Sequence, residues 1–406
     1  MVVFAGEHAD TARTVAPERR PGAGGDQPLA GVRIAMLNFR EPQQTTAGGA
    51  EEYAWQVSRF LLSQGASVMF VTGRQRGQRH AETREGIGLR RMGNAYLVYL
   101  LVPLWLLFHR RRFDAVIDTM NGIPFFSPLV VSRRTRVLCL VHHVHDRQFD
   151  AFLPRWLAVL GCFLEGSVAR LLYRRCVTIT VSESSRAELL GKLRWLGPVT
   201  IVPNGCVVPA KVAPVEVRGD PVIVYTGRLV GHKRIDRVVD LAGELAGSWP
   251  RLAVHIIGRG PERESLARRI ARGGLDGRVR LHGFVPEARK VALLGAARLN
   301  VTASEFEGWG LTVLEAAALG VPTVAYDVAG LRDSVRDGVT GWLVRDGEKL
   351  ADVVERALAE LESPRRRAEV AEACRAWARE FTWARTGANI TELIVTKLQD
   401  GGGAYK

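Results

Sequence analysis

The sequence predicts an α/β protein built as two doubly wound lobes facing each other across a cleft. Three observations carry this. Short apolar runs bounded by turn residues alternate with helical stretches, once before residue 200 and again after residue 220. Between the two sets, "IVPNGCVVPAKVAPVEVRGD" interrupts the pattern with Pro203, Pro209 and Pro214, which break any helix. The chain of 406 residues exceeds one typical core, while 47% hydrophobic and 24% charged content is that of a folded globular protein.

Taken in order, residues 1–30 are rich in Gly, Pro, Arg and Asp without an apolar core, and read as a disordered tail rather than a targeting peptide. The first lobe is expected over 31–203. "GVRIAMLNF" reads as a buried parallel strand, followed by a loop with Gly48 and Gly49 and the helix "EEYAWQVSRFLLSQG". "ASVMFVTG", "FDAVIDT" and "TRVLCLVHH" continue the strands, and "CVTITVSESSRAELL" adds a strand and a serine-capped helix. Residues 204–220 form the linker. The second lobe, 221–380, repeats the alternation in "PVIVYTGRL", "RIDRVVDLAGELAG", "RLAVHIIGRG", "RVRLHGFV", "RLNVTAS" and "VPTVAYD". "FTWARTGANITELIVTKL" (381–398) is a helix with an apolar stripe and no strand after it, and 399–406 is a second tail.

The net charge is +14, and all but seven of the 56 basic residues are arginine. A basic surface suits nucleic acid, an anionic membrane or phosphorylated small molecules. The chain has no zinc finger, RNA-binding aromatic signature or lysine arm, so no nucleic-acid partner is expected. Five cysteines at 139, 162, 176, 206 and 374 lack metal-type spacing and read as free thiols of a reducing, cytoplasmic compartment. "AYLVYLLVPLWLLFHRRR" (95–112) is too short to span a bilayer and contains Pro103. It reads either as a buried helix or as an interfacial patch anchored by Tyr96, Tyr99, Trp105 and Arg110–Arg112, which would give peripheral contact with the inner face of an anionic membrane. Oligomeric state is not legible.

Ligands of open α/β sheets bind beyond the carboxyl ends of the strands. Three such loops leave the second lobe: "GRLVGHK" with Arg228 and Lys233, "GRGPE" after Gly258, and "EFEGWGLTVLEAAALG". Two fixed cations and a glycine-rich helix start suit a pyrophosphate, since free backbone amides and the helix dipole both favour anions. Glu315, inside that helix, can accept hydrogen bonds from sugar hydroxyls, and Glu307 points beyond the phosphates.

These segments resemble the retaining glycosyltransferases of family 4, which have the GT-B fold of two Rossmann-like lobes, and the resemblance covers about 31 to 398. Its most specific motif is a pair of glutamates with seven residues between them, matched by Glu307 and Glu315 in "EGWGLTVLEAAALGVPTVAYDVAG". "YTGRLVGHKRID", beginning near Gly227, resembles the phosphate loop, and "GGAEEY", with Gly48, Gly49 and Glu51, the glycine loop of the acceptor lobe. The resemblance implies Glu315 on the ribose, Glu307 beside the transferred sugar, and Arg228 and Lys233 on the pyrophosphate. It implies amides of Gly308, Gly310 and Leu311 toward the phosphates, Phe284 and Val285 near the base, and a terminal helix crossing back onto the first lobe. Trp309, where the family often carries Phe, and Arg259, where it often has an acid, depart from the pattern and bear on sugar identity.

"VHHVHDRQ" places three histidines after a strand. A metal site would need companion ligands that the spacing does not supply, so no metal is expected. The resemblance implies that a histidine here faces the donor sugar: His142 and His145 are candidates, His145 first, with His143 in packing. No cofactor is implied beyond a nucleotide-diphosphate sugar as co-substrate, with an unidentified hydroxyl acceptor. A nicotinamide dehydrogenase is disfavoured because no G-x-G-x-x-G follows the first strand. An epimerase, a phosphorylase or a non-catalytic sugar-nucleotide binder remain rivals.

Overall fold

The computed structural model describes residues 27–45, 47–145, 154–209 and 220–400. The expected tails over 1–26 and 401–406 and the linker stretch 210–219 lie outside the described residues. Residues 27–30, read from sequence as tail, are part of the first lobe. Leu29 is wholly buried and its N–H donates to the carbonyl of Gln64, because a lone leucine in a polar tract still gains from covering the sheet edge.

The first lobe runs β1 (Arg33–Leu37), α1 (Gly49–Ser63), β2 (Ser67–Thr72), β3 (Ala81–Arg84), β4 (Ile87–Arg91), α2 (Val98–Phe108), β5 (Ala115–Met120) and β6 (Arg136–Val141). It continues through α3 (Arg155–Phe163), a π turn (Leu164–Val168), α4 (Ala169–Leu172), β7 (Val177–Thr180), α5 (Glu183–Gly191) and β8 (Val199–Ile201). The sheet order is β3-β4-β2-β1-β5-β6-β7-β8, parallel except for β3 against β4. Ser182 caps α5 by accepting from the N–H of Ser185 at 3.0 Å, as the serine-rich sequence predicts.

The second lobe runs β9 (Val222–Thr226), α6 (Ile235–Glu244), β10 (Ala253–Ile257), α7 (Arg263–Arg272), β11 (Val279–Gly283), α8 (Glu287–Gly295), β12 (Leu299–Thr302) and α9 (Leu311–Ala318). β13 (Thr323–Tyr326), α10 (Leu331–Ser334), β14 (Gly341–Val344), α11 (Leu350–Glu360) and α12 (Pro364–Arg379) complete it. Its strands are all parallel in the order β11-β10-β9-β12-β13-β14.

The final helix, α13 (Trp383–Asp400), returns to the first lobe and packs on α1. Gly387 lies so close to Phe60 that any side chain there would collide with the ring. The two chain crossings run side by side: the N–H of Cys206 donates to the Phe381 carbonyl at 2.9 Å, and Gly205 abuts the backbone of Trp383.

The β3–β4 hairpin escapes sequence reading because its strands are charged. Arg91 is buried, paired with Glu41 at 2.5 Å and with Glu82 at 2.7 Å, and Glu85 and Gly86 both take positive φ in the turn. α2 combines both readings of its apolar run. Val98, Val102 and Leu106 pack on the sheet, while Leu100, Leu104 and Phe108 face outward; of the expected anchors Tyr96 is exposed, but Tyr99 and Trp105 pack inward, Tyr99 stacked on Phe125 at 5.2 Å.

Candidate active site

The carboxyl-end loops of the two sheets meet. β9 and β10 end in Gly227 and Gly258, both at positive φ, with the Gly227 N–H donating to Ile257 at 3.0 Å. A Cβ at Gly258 would strike the Gly227 carbonyl, so glycine alone lets these loops lie together. The next loop brings Glu307 to Lys233: their side chains form an ion pair, and Ser304 Oγ donates to Glu307 Oε1 at 3.2 Å. Burial raises the Glu307 carboxyl, but the Lys233 ammonium outweighs it and holds the pKa below the usual range. His232 stacks on Phe306 at 4.6 Å, and burial with the neighbouring Lys233 lowers its pKa to about 4.

Gly310, in the left-handed conformation, opens α9, whose N-terminus therefore faces the cleft. Across the gap stands the start of α1. A Cβ at Gly48 would lie 3.3 Å from Arg228 Nε, and one at Gly49 3.9 Å from the Leu311 side chain. Two helix N-termini and Arg228 thus converge. Glu51 closes its own helix start, its Oε2 accepting from the Gly48 N–H at 2.7 Å. Arg40, which sequence reading missed, joins the group. Burial and the nearby Arg228 lower its pKa against the pull of Glu51. Its place in "NFREP" after β1 matches the strand-end rule that singles out Arg228.

Glu315 projects from α9 to Lys290 Nζ at 3.1 Å, and burial raises its pKa against that lysine. Lys290 sits in a helix without motif signal, so nothing in the sequence marks it. Phe284 is exposed with the Arg259 guanidinium 4.2 Å over its ring, whereas Val285 packs into a small apolar cluster. Trp309, expected to bear on the sugar, is instead buried against Phe381 at 5.0 Å. Its larger ring fills the seam where the chain crosses between lobes.

The histidines separate. His142 is buried edge-on to Tyr53 at 5.1 Å, and burial lowers its pKa to about 3. Its carbonyl lies against Gly308, where a Cβ would approach to 2.6 Å, and accepts from Ser185 Oγ at 2.9 Å. His145 turns to Glu165 on the π turn, its N–H donating at 2.8 Å, and stacks on His143 at 4.1 Å. His142 is therefore the histidine brought to the Glu307 loop. In the first lobe, buried Asp118 anchors the "NGIPFFSPL" segment by accepting from the N–H groups of Phe125 and Ser127, both at 3.1 Å.

Two family models match: "Glycosyltransferase Family 4" over residues 47–208 and "Glycosyl transferases group 1" over residues 210–374. The α-D-kanosaminyltransferase of Streptomyces kanamyceticus is 33% identical over 37% of this chain and 39% of its own length. The D-inositol 3-phosphate glycosyltransferase of Nocardia farcinica is 34% identical over 46% and 43%. The match thus spans less than half of either relative. Sucrose-phosphate synthase from Thermosynechococcus elongatus superposes with a TM-score of 0.75 over 91% of this chain and all of its own, at 19% identity. An Anabaena protein in complex with UDP and glucose gives 0.69 over 90% and 100%, also at 19%. These likenesses show the GT-B fold, and with the two models falling one on each lobe, the chain belongs to the family 4, group 1 glycosyltransferases.

Proposed function

We propose that the protein transfers a sugar from a nucleotide-diphosphate sugar to a hydroxyl acceptor with retention of configuration. The observation that carries this is the convergence of Arg228, Lys233 and the N-termini of α1 and α9 on one point of the cleft. A diphosphate there meets two cations and the positive ends of two helices, which favour it most as it departs with full charge. Glu315 would take the ribose in place of Lys290, and Phe284 and Val285 would flank the base. Glu307 and His142 would line the transferred sugar, whereas His145, expected first from the sequence, is held by Glu165 on the π turn. The departing diphosphate shields one face and takes the acceptor proton on that same face, so no carboxylate nucleophile is needed. Arg228 and Lys233 do the work a divalent ion does elsewhere, and neither a metal nor a cofactor is required.

The relatives named above act on an inositol phosphate or carry an aminosugar chemistry in their names. Cyclitol phosphates are therefore the first acceptors to try, against a panel of uridine, guanosine, adenosine and thymidine diphosphate sugars that includes aminosugars. Release of free nucleotide diphosphate that depends on acceptor, and persists in EDTA, is the expected result. Epimerised donor, or turnover only with inorganic phosphate, would replace this reading with an epimerase or a phosphorylase. Chelator-sensitive transfer restored by manganese would overturn the metal-free part alone.

A further inference from the structure

The outer face of the first lobe carries a second feature that catalysis does not use. α3 is turned inside out: it buries Ala158 and Gly161, its small residues, and exposes Trp156, Val159 and Phe163, its large ones. Trp156 and Val159 are each 69% exposed. A soluble helix places its apolar stripe the other way. α2 behaves similarly, with Leu100, Leu104 and Phe108 outward.

Both helices lie on the same face of the sheet. α2 packs on Leu37 of β1, Val71 of β2 and Val116 of β5, while α4, which continues α3 through the π turn, packs with Ala169 on Met120 of β5 and Cys139 and Val141 of β6. Val116 and Met120 are four apart on one strand and so point the same way, and Val137 touches both clusters. α1 and α13 cover the opposite face. The exposed stripe of α2 and the helix that α4 extends into α3 are therefore on one side of the first lobe.

Its charge is of one sign. Residues 94–113 contain no acid, and among 154–176 the sole acid, Glu165, is buried. Arg110, Arg111 and Arg112 follow α2, and Arg155, Arg174 and Arg175 flank α3 and α4, all exposed. A second copy docked face to face would oppose arginine to arginine. An anionic bilayer supplies apolar depth for the aromatic residues and countercharge for the arginines. No helix among the described residues is long and apolar enough to cross a membrane. We propose that α2 and α3 together seat the first lobe on an anionic lipid surface, leaving the cleft free.

The test needs neither donor nor acceptor, so it succeeds or fails independently of the transferase reading. The full chain is sedimented with vesicles of phosphatidylcholine alone, or of phosphatidylcholine mixed with phosphatidylglycerol. Binding is expected only to the mixed vesicles, with release at roughly 0.5 M salt. Arg110→Glu with Arg112→Glu should lower partitioning at least about thirtyfold. Trp156→Gln with Phe163→Gln, on α3 alone, should lower it about tenfold. Because all four residues are exposed, unchanged circular dichroism melts are expected and keep the comparison fair. Absence of sedimentation, equal binding to neutral vesicles, or wild-type binding by the α3 variant would overturn the proposal. So would a concentration-dependent dimer that ignores vesicles.

Discussion

Lys233 and Glu307 neutralise each other in the cleft, and their separation into different roles is testable. Removing one member of this partly buried pair leaves an uncompensated charge, at a cost of up to ~3 kcal/mol. The double variant Lys233→Met with Glu307→Gln should therefore be more stable than either single one in thermal melts. On the proposed function, Lys233→Met should weaken binding of the donor's nucleoside diphosphate, identified from the panel, at least about tenfold, since it removes a charge-assisted contact. Glu307→Gln should leave that binding intact or tighter, because Lys233 is released to the phosphates, yet lower turnover about a hundredfold or more. Equal losses of binding in both variants would contradict the assignment. His142 carries a different signature. Its pKa falls from 6.5 to about 3 on folding, so between those values the unfolded chain holds the extra proton. Stability is thus full above pH 6.5 and declines as pH falls, by about 3 kcal/mol by pH 4. His142→Phe, keeping a ring against Tyr53, should flatten that acid limb of Tm against pH. At this scale, Glu307, Glu315, Arg228 and Lys233 were legible because motif and chemistry coincide in a short stretch. Arg40 and Lys290 were not, since a single basic residue brought in from a distant segment leaves no local spacing to read.

Elements were legible where burial on both faces made the strands continuous apolar runs, as in β6 or β10. The β3–β4 hairpin was hidden because its stabilising partners, Glu41 and Glu82 around Arg91, come from three separate segments. The π turn joining α3 to α4 was equally invisible: it places Glu165 under His145 by one extra residue per turn, which no periodicity rule marks. The contact of α13 on α1 gives a prediction whose sign is informative. Replacing a helix-interior glycine by alanine ordinarily stabilises by ~0.5–1 kcal/mol. Gly387→Ala should instead destabilise by about 1–3 kcal/mol, because its methyl meets the Phe60 ring. Adding Phe60→Ala should recover part of that loss, and a double-mutant cycle in urea would measure the coupling.

For the whole molecule, the two-lobed plan followed from the doubled alternation and the proline-rich break, while the mutual placement of the lobes did not, because it depends on contacts as sparse as Gly308 on His142. The crossings at Cys206 and Phe381 are bonded into one narrow strip, with Gly205 against Trp383. If that strip is the hinge of a closing cleft, Gly205→Ala, far from the proposed diphosphate position, should lower kcat while leaving nucleoside-diphosphate affinity within about twofold. On the proposed function, closing the second lobe onto a donor and the first onto an acceptor are then one and the same rotation. Each ligand that favours the closed angle must raise the affinity of the other, and by the same factor in both directions. Calorimetric titration of acceptor with and without the nucleoside diphosphate, and of the nucleoside diphosphate with and without acceptor, should return equal ratios above one.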